Sequence, residues 1–86
     1  MSDVAALVLI NCTLNQIANV KGAIDLIEGV IEAYPISGIY DIIIKVKTEG
    51  QEGITALKGI TARIKGINGV KSLVTHIVLV EEKKES

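Results

Sequence analysis

The 86-residue sequence contains few aromatic or sulfur-bearing side chains. It has no Phe or Trp, two Tyr, one Met, one Cys, one Pro and one His. Sheets that bind single-stranded RNA stack the bases on aromatic side chains of their central strands, so this composition disfavours that class of protein. Cys12 stands alone, which excludes an internal disulfide and a metal-binding loop with paired cysteines. We expect no metal site and no cofactor, and we interpret Cys12 as a buried apolar residue.

The sequence also lacks a dominant charge and a long apolar run. Nine Lys and Arg are balanced by ten Asp and Glu, for a net charge of -1. The chain thus lacks the excess of positive charge that nucleic-acid-binding proteins use. No apolar run reaches the roughly 18 to 20 residues that span a bilayer, and the first twelve residues lack the basic start and cleavage site of a signal peptide. We therefore expect a cytoplasmic protein with no direct nucleic-acid partner and no membrane partner.

Catalytic groupings are missing as well. There is one histidine, no Ser–His spacing of note, and few carboxylates outside turns and the charged tail, so we expect no enzyme activity and no catalytic residues. What the chain does have is apolar material, with 49% hydrophobic residues and a mean hydropathy of +0.46. A domain of this size buries only about 60 to 65% of the surface of its unfolded chain. The excess predicts self-association.

Hydrophobic periodicity predicts six elements in one domain that spans residues 1–86. Unbroken or alternating apolar runs indicate strands, and apolar residues three and four positions apart indicate helices. Thr13 or Asn15 would cap the first helix, and residues 81–86 form a charged tail. The predicted strands cover 5–12, 30–37, 41–48 and 71–81, and the predicted helices cover 15–28 and 51–65.

Two short segments repeat forty positions apart and suggest a duplicated plan. Residues 27–30 read IEGV and residues 67–70 read INGV, and in each half a helix is expected to stop on the glycine before a strand begins. The duplication predicts an α+β fold, a ferredoxin-like βαββαβ sandwich with a four-stranded antiparallel sheet and two helices on one face. The second and fourth strands lie at the edges, which suits Pro35. The uncovered face should be apolar, which predicts a homodimer.

Two long stretches carry a family resemblance. IEGVIEAYPISGIYDIIIKV at 27–46 and IKGINGVKSLVTHIVLVEEKKE at 64–85 resemble the ligand-binding domain of the Lrp/AsnC (feast/famine) transcriptional regulators. The chain looks like a stand-alone version without the family's helix-turn-helix domain. The resemblance implies a dimer that assembles into higher oligomers, a free amino acid held where dimers touch, and modulation of transcription through full-length Lrp/AsnC partners.

The resemblance also implies the ligand-binding residues. In the turn, Gly38 would let backbone N–H groups approach a carboxylate, Asp41 would accept from an ammonium group, and Tyr40 would cover an aliphatic side chain. The alternative is that Gly38 and Asp41 only shape the turn, and that His76 only packs against its neighbours. The full implied set is Gly38, Ile39, Tyr40, Asp41, Thr75, His76 and Ile77.

The sequence departs from the family pattern at two places. Pro35 lies in a strand where the family has an ordinary β former, which could change the edge used in assembly. Asn15-Gln16 replaces the Pro-Gly common before the first helix, which changes how that helix begins. Two other functions stay open, an assembly module that binds no metabolite and an ACT-type amino-acid-binding regulatory domain with the same element order.

Overall fold

The computed structural model describes residues 3–50 and 52–78. It contains the six predicted elements in the predicted order and confirms the ferredoxin-like α+β fold. The four strands form one antiparallel sheet in the order β2-β3-β1-β4. The elements are β1 (Val4–Cys12), α1 (Ile17–Ile24), β2 (Val30–Pro35), β3 (Ile42–Thr48), α2 (Gly53–Lys65) and β4 (Val70–Ile77).

The strand order confirms that β1 and β3 are central and that β2 and β4 are edges. Pro35 is the last residue of the edge strand β2, where its missing N–H costs the ladder least. A bulge between Val30 and Glu32 interrupts the pairing of β2 with β3, and another between Asn11 and Cys12 interrupts the pairing of β1 with β4.

The core lies between the two helices and one face of the sheet. Every second residue of β1 and β3 points into it, as the period of a strand requires. Thr48 is the buried polar residue at the end of β3, and its hydroxyl donates a hydrogen bond of 2.9 Å to the carbonyl of Gly53. The buried apolar residues are Ala6, Val8, Ile10, Cys12, Val20, Ile24, Ile27, Ala33, Ile42, Ile44, Val46, Leu57, Ile60 and Ile64.

The internal repeat is visible as a repeated turn. After α1, Ile27 N–H donates to Ile24 C=O at 3.0 Å and Val30 N–H donates to Ile27 C=O at 3.2 Å. The same two bonds recur forty residues later, between Ile67 and Ile64 at 3.0 Å and between Val70 and Ile67 at 3.1 Å. Each half therefore passes from helix to strand through the same hydrogen-bonded turn.

The glycines of the repeat have the left-handed backbone that their position suggested. The φ angle is +101° at Gly29 and +107° at Gly69, a region that side chains with a Cβ rarely adopt. However, the prediction that each helix stops on its glycine is wrong. α1 ends at Ile24 and α2 ends at Lys65, so the repeated turn separates each helix from its glycine.

The start of α1 also differs from the prediction. The helix begins at Ile17 rather than at 15, and Gln16 occupies the capping position without a side-chain hydrogen bond. Asn15 has φ +86°, and Thr13 uses its backbone carbonyl to accept from Gln16 N–H at 2.9 Å. Both expected caps therefore shape the turn before the helix and do not cap it.

Several strand boundaries differ from the prediction. β1 begins at Val4 and not at residue 5, β2 ends at Pro35 and not at residue 37, β3 begins at Ile42 and not at residue 41, and β4 begins at Val70 and ends at Ile77. Residues 79–81 of the predicted strand and the predicted tail at 81–86 lie outside the described residues. Within the described ranges, neither helix combines the length and the apolar character needed to cross a bilayer.

Candidate functional site

The β2–β3 loop, residues 36–41, is held to the end of β1 through Asp41. Asp41 N–H donates to the carbonyl of Ile10 at 2.8 Å, and the Asp41 carbonyl accepts from Ile36 N–H at 2.9 Å. The Asp41 carboxylate accepts from the backbone N–H of Cys12 at 2.7 Å, through Oδ2. Regular pairing of β1 with β3 reaches only Ile10 and Ile42, so the side chain of Asp41 extends the ladder beyond that pair.

The rest of the loop projects from this anchor. Gly38 has φ +137°, and a Cβ placed there would meet no atom within 4 Å. Ile39 is 85% exposed, whereas Tyr40 is half-buried. A single exposed apolar side chain is common on protein surfaces and does not by itself mark a contact surface.

The other three predicted site residues lie on β4 and do not share one face. Thr75 pairs with Val8, His76 with Leu7 and Ile77 with Ala6. Because strand side chains alternate, Thr75 and Ile77 lie on the helix side of the sheet and His76 lies on the opposite side. Thr75 is half-buried, while His76 and Ile77 are exposed.

One subunit does not bring the loop and the β4 residues together. β1 lies between β3 and β4, which separates the two groups by roughly 10 Å across the sheet. Asp41 lies level with Asn11, between its two partners on β1, whereas Thr75 lies opposite Val8. That difference adds roughly 10 Å along the strand. A pocket made from both groups needs more than one copy of the chain.

The open face of the sheet, opposite the helices, carries cross-strand rows that differ in polarity. The apolar row runs across all four strands and is formed by Tyr34, Ile43, Leu9 and Val74. The mixed row beside it is formed by Glu32, Lys45, Leu7 and His76. The open face is thus less uniformly apolar than the sequence suggested, because β2 and β3 place charges on it.

Cys12 is buried at the end of β1, as expected from the sequence. Burial raises the pKa of its thiol above the ordinary value, and the neighbouring Asp41 carboxylate raises that pKa further. Both causes disfavour the thiolate, which is the nucleophilic and metal-binding form. Among the described residues, no three His, Cys, Asp or Glu side chains are grouped as metal ligands.

A groove that the sequence did not indicate lies between α2 and the start of β2. This α2 groove is open to solvent and has a volume of about 780 Å³. One wall is the stripe Ala56, Gly59, Ile60 and Arg63 of α2, and the other includes residues 28–31 and 47–49. The 3-4-7 spacing of the stripe was visible in the sequence, but its partner wall depends on where α1 ends, which was predicted four residues too late.

Comparisons with known proteins agree with this fold. Residues 5–86 match the family model described as the Lrp/AsnC ligand binding domain. Homocitrate synthase of Sulfolobus acidocaldarius is 38% identical over 78 residues, covering 90% of this chain, and the chain spans only 16% of that enzyme's length.

Two solved structures have the same fold. E. coli AsnC is 26% identical with a TM-score of 0.83, over 96% of this chain and 55% of that one. A transcriptional regulator of Neisseria meningitidis, solved as a complex with L-Met, is 13% identical with a TM-score of 0.73, over 94% of this chain and 53% of that one, and at this identity shows the fold alone. Because residues 5–86 match the family model, the chain belongs to the Lrp/AsnC ligand-binding domain family.

Proposed function

We propose that this chain is an amino-acid-sensing and oligomerisation domain that modulates transcription through a full-length Lrp/AsnC regulator, without DNA binding of its own. The match of residues 5–86 to the ligand-binding domain of this family carries the proposal. The relative solved with L-Met supports an amino acid as the kind of ligand.

The ligand is proposed to bind where dimers touch, between the β2–β3 loop of one copy and residues 75–77 of another. The separation of these two groups within one subunit supports a site shared by two copies. Asp41 uses Oδ2 for the hydrogen bond from Cys12 N–H, so Oδ1 would accept from the ligand's ammonium group. A charge-assisted hydrogen bond of this kind is stronger than a neutral one.

The dimer itself is proposed to form through the open face. Its apolar row offers Leu9 and Ile43 at the centre and Val74, 38% exposed, towards the β4 edge. Two such faces packed together would bury on the order of 1,500 Å², the size of a standard stable interface.

Thermal unfolding in the presence of each common amino acid tests the sensing function. A ligand at a hundred times its dissociation constant should stabilise the protein by about 2.7 kcal/mol. Asp41→Asn should abolish the part of that shift that comes from the contact between dimers, because the variant lacks the charge that binds an ammonium group there. The variant keeps a side-chain oxygen for Cys12 N–H, so its own unfolding should stay close to that of the wild type.

An assembly module that binds no metabolite is the contrasting outcome. It would give no shift with any amino acid while light scattering shows the oligomer intact.

A second candidate function is regulation of an enzyme instead of a transcription factor. The 38% identity to a stretch of homocitrate synthase is the observation that favours it. In this case the chain would act on a biosynthetic enzyme in response to an amino acid. The test is a homocitrate synthase from which the matching stretch has been deleted. A change in its activity that needs both the chain and an amino acid would support this function, and no response would contradict it.

A further inference from the structure

The α2 groove lies at the opposite end of the sheet from the β2–β3 loop. The loop is fixed to the last residues of β1, whereas the groove wall includes Thr48, which pairs with Val4 at the first residue of β1. The groove therefore cannot be part of the site proposed above within the same subunit. Its volume of about 780 Å³ is within the range of small-molecule sites, about 300 to 1,000 Å³.

The groove is open because small residues line α2. A Cβ at Gly59 would meet no atom within 4 Å, and Ala56 one turn earlier adds only a methyl group to the same wall. Glycine in a helix interior lowers helix stability. At Gly59 the helix therefore has a residue of low helix propensity, although the surrounding space would accommodate a larger side chain.

The facing wall approaches α2 closely at one point. A Cβ at Gly29 would lie 2.6 Å from Ile60 Cδ1, so the backbone at Gly29 and the Ile60 side chain are in close contact. Val30, half-buried, and Ile31, 49% exposed, continue this wall. An aliphatic group in the groove would therefore meet apolar surface on both sides.

Charges of both signs line the same groove. Arg63 lies one turn beyond Gly59 on α2, and Glu28, Lys47 and Glu49 belong to the facing wall. All four are exposed, and none of them forms an ion pair within the described ranges. A free anion would meet the two glutamates, and a free cation would meet Arg63 and Lys47. A zwitterion matches both signs.

We propose that the α2 groove is a second amino-acid site, contained in one subunit, in which Arg63 binds the carboxylate, Glu28 or Glu49 binds the ammonium group, and an aliphatic side chain packs beside Gly59. This proposal rests on the proposed function in one respect, namely that the chain binds free amino acids. It differs in placing a site away from the contact between dimers.

Filling the groove tests the proposal. Gly59→Leu puts an isobutyl group into the space and improves helix propensity, so the variant should fold and unfold at a higher temperature than the wild type. The matched control is Gly22→Leu, because Gly22 in α1 also has nothing within 4 Å of a Cβ and lies outside the groove. Titration calorimetry with Leu, Ile and Val should show the groove-bound event weakened at least tenfold in Gly59→Leu and unchanged in Gly22→Leu.

Arg63→Gln provides an independent variant. Arg63 is in the last turn of α2, where a cation also favours the helix dipole, so a small loss of stability alone would not support the site. Loss of ligand binding at an unchanged fold would support it, since the dipole role does not involve the ligand.

Comparison with Asp41→Asn separates the two sites. Binding that survives Asp41→Asn and is lost in Gly59→Leu supports the groove and contradicts a ligand at the contact between dimers. Binding lost in Asp41→Asn and intact in Gly59→Leu overturns the groove proposal and leaves the proposed function standing. Half the stoichiometry in each variant supports both sites, and no binding by the wild type overturns both.

Discussion

The carboxylate of Asp41 accepts a hydrogen bond of 2.7 Å from the backbone N–H of Cys12. This bond joins a residue that the family resemblance assigns to ligand binding to a central strand of the sheet. The same carboxylate thus has a structural role whether or not a ligand is present. A ligand that binds the Asp41 carboxylate would therefore contact a group that is hydrogen-bonded to the end of β1.

Asp41→Ala should destabilise the protein by about 1 to 3 kcal/mol, because the part-buried N–H of Cys12 loses its acceptor. Asp41→Asn should lose much less, since its amide oxygen can accept the same bond. Urea unfolding of the two variants beside the wild type measures the difference. Equal stability of Asp41→Ala and Asp41→Asn would show that the bond contributes nothing.

Gly69→Ala should destabilise the fold by more than about 1 kcal/mol. The residue has φ +107°, and a Cβ would lie 2.8 Å from Cβ of Gln16, so the variant suffers both backbone strain and a steric clash. Gly22→Ala is the matched control, because its Cβ has open space inside a helix and should stabilise by about 0.5 to 1 kcal/mol. Thermal unfolding that shifts in the same direction for both variants would contradict this explanation.

The repeat and the topology could be predicted because they depend on local signals. The two Gly-Val segments and the alternation of residues 41–48 fixed the order of elements, and Pro35 indicated an edge. The helix boundaries could not be predicted in the same way. Asn15 has a left-handed backbone conformation, and the hydrogen bonds of the turn after Ile24 end α1 early. Both features depend on turn geometry that competes with helix propensity.

The candidate sites were predictable to different degrees. The β2–β3 loop was chosen as a candidate from Gly38 and Asp41 together with a family resemblance, but the bond from Cys12 N–H to Asp41, which joins residues 29 positions apart, was not foreseen. The α2 groove depends on the distance between a helix and an edge strand, which periodicity does not encode. Gly59 was a weak sign of it, because a glycine inside a helix often has a packing or functional reason.

The thiol of Cys12 should titrate above its ordinary pKa of 9.0, since burial and the Asp41 carboxylate both raise its pKa. The stabilising effect of the neutral thiol is then fully present below that value and is lost as the pH rises through the folded-state pKa. The ultraviolet absorbance of the thiolate, with Cys12→Ala as the background that removes the tyrosine signal, measures the midpoint. A midpoint at or below 9.0 would contradict the raised pKa.

Shortening a core side chain should lower the free energy of unfolding far more than shortening an exposed one. Ile44 is fully buried in the central strand β3, and Ile44→Ala should cost about 2 to 5 kcal/mol through lost burial and a residual cavity. Ile39, which is 85% exposed in the β2–β3 loop, is the matched isoleucine. Ile39→Ala should change the free energy of unfolding by less than about 0.5 kcal/mol, unless assembly buries this loop, in which case its effect should grow with protein concentration.

Leu9→Lys should convert the protein to monomers if the dimer forms through the open face. Leu9 is at the centre of the apolar row, paired with Ile43 on one side and Val74 on the other. In the dimer a lysine there would have to bury an unpaired charge, which costs several kcal/mol, whereas in a monomer its ammonium group can reach water.

Leu14→Lys is the control, because Leu14 is 78% exposed in the connection between β1 and α1. Sedimentation velocity at micromolar concentration should show dimers or larger species for the wild type and Leu14→Lys, and monomers for Leu9→Lys. A folded Leu9→Lys that sediments like the wild type would place the interface elsewhere.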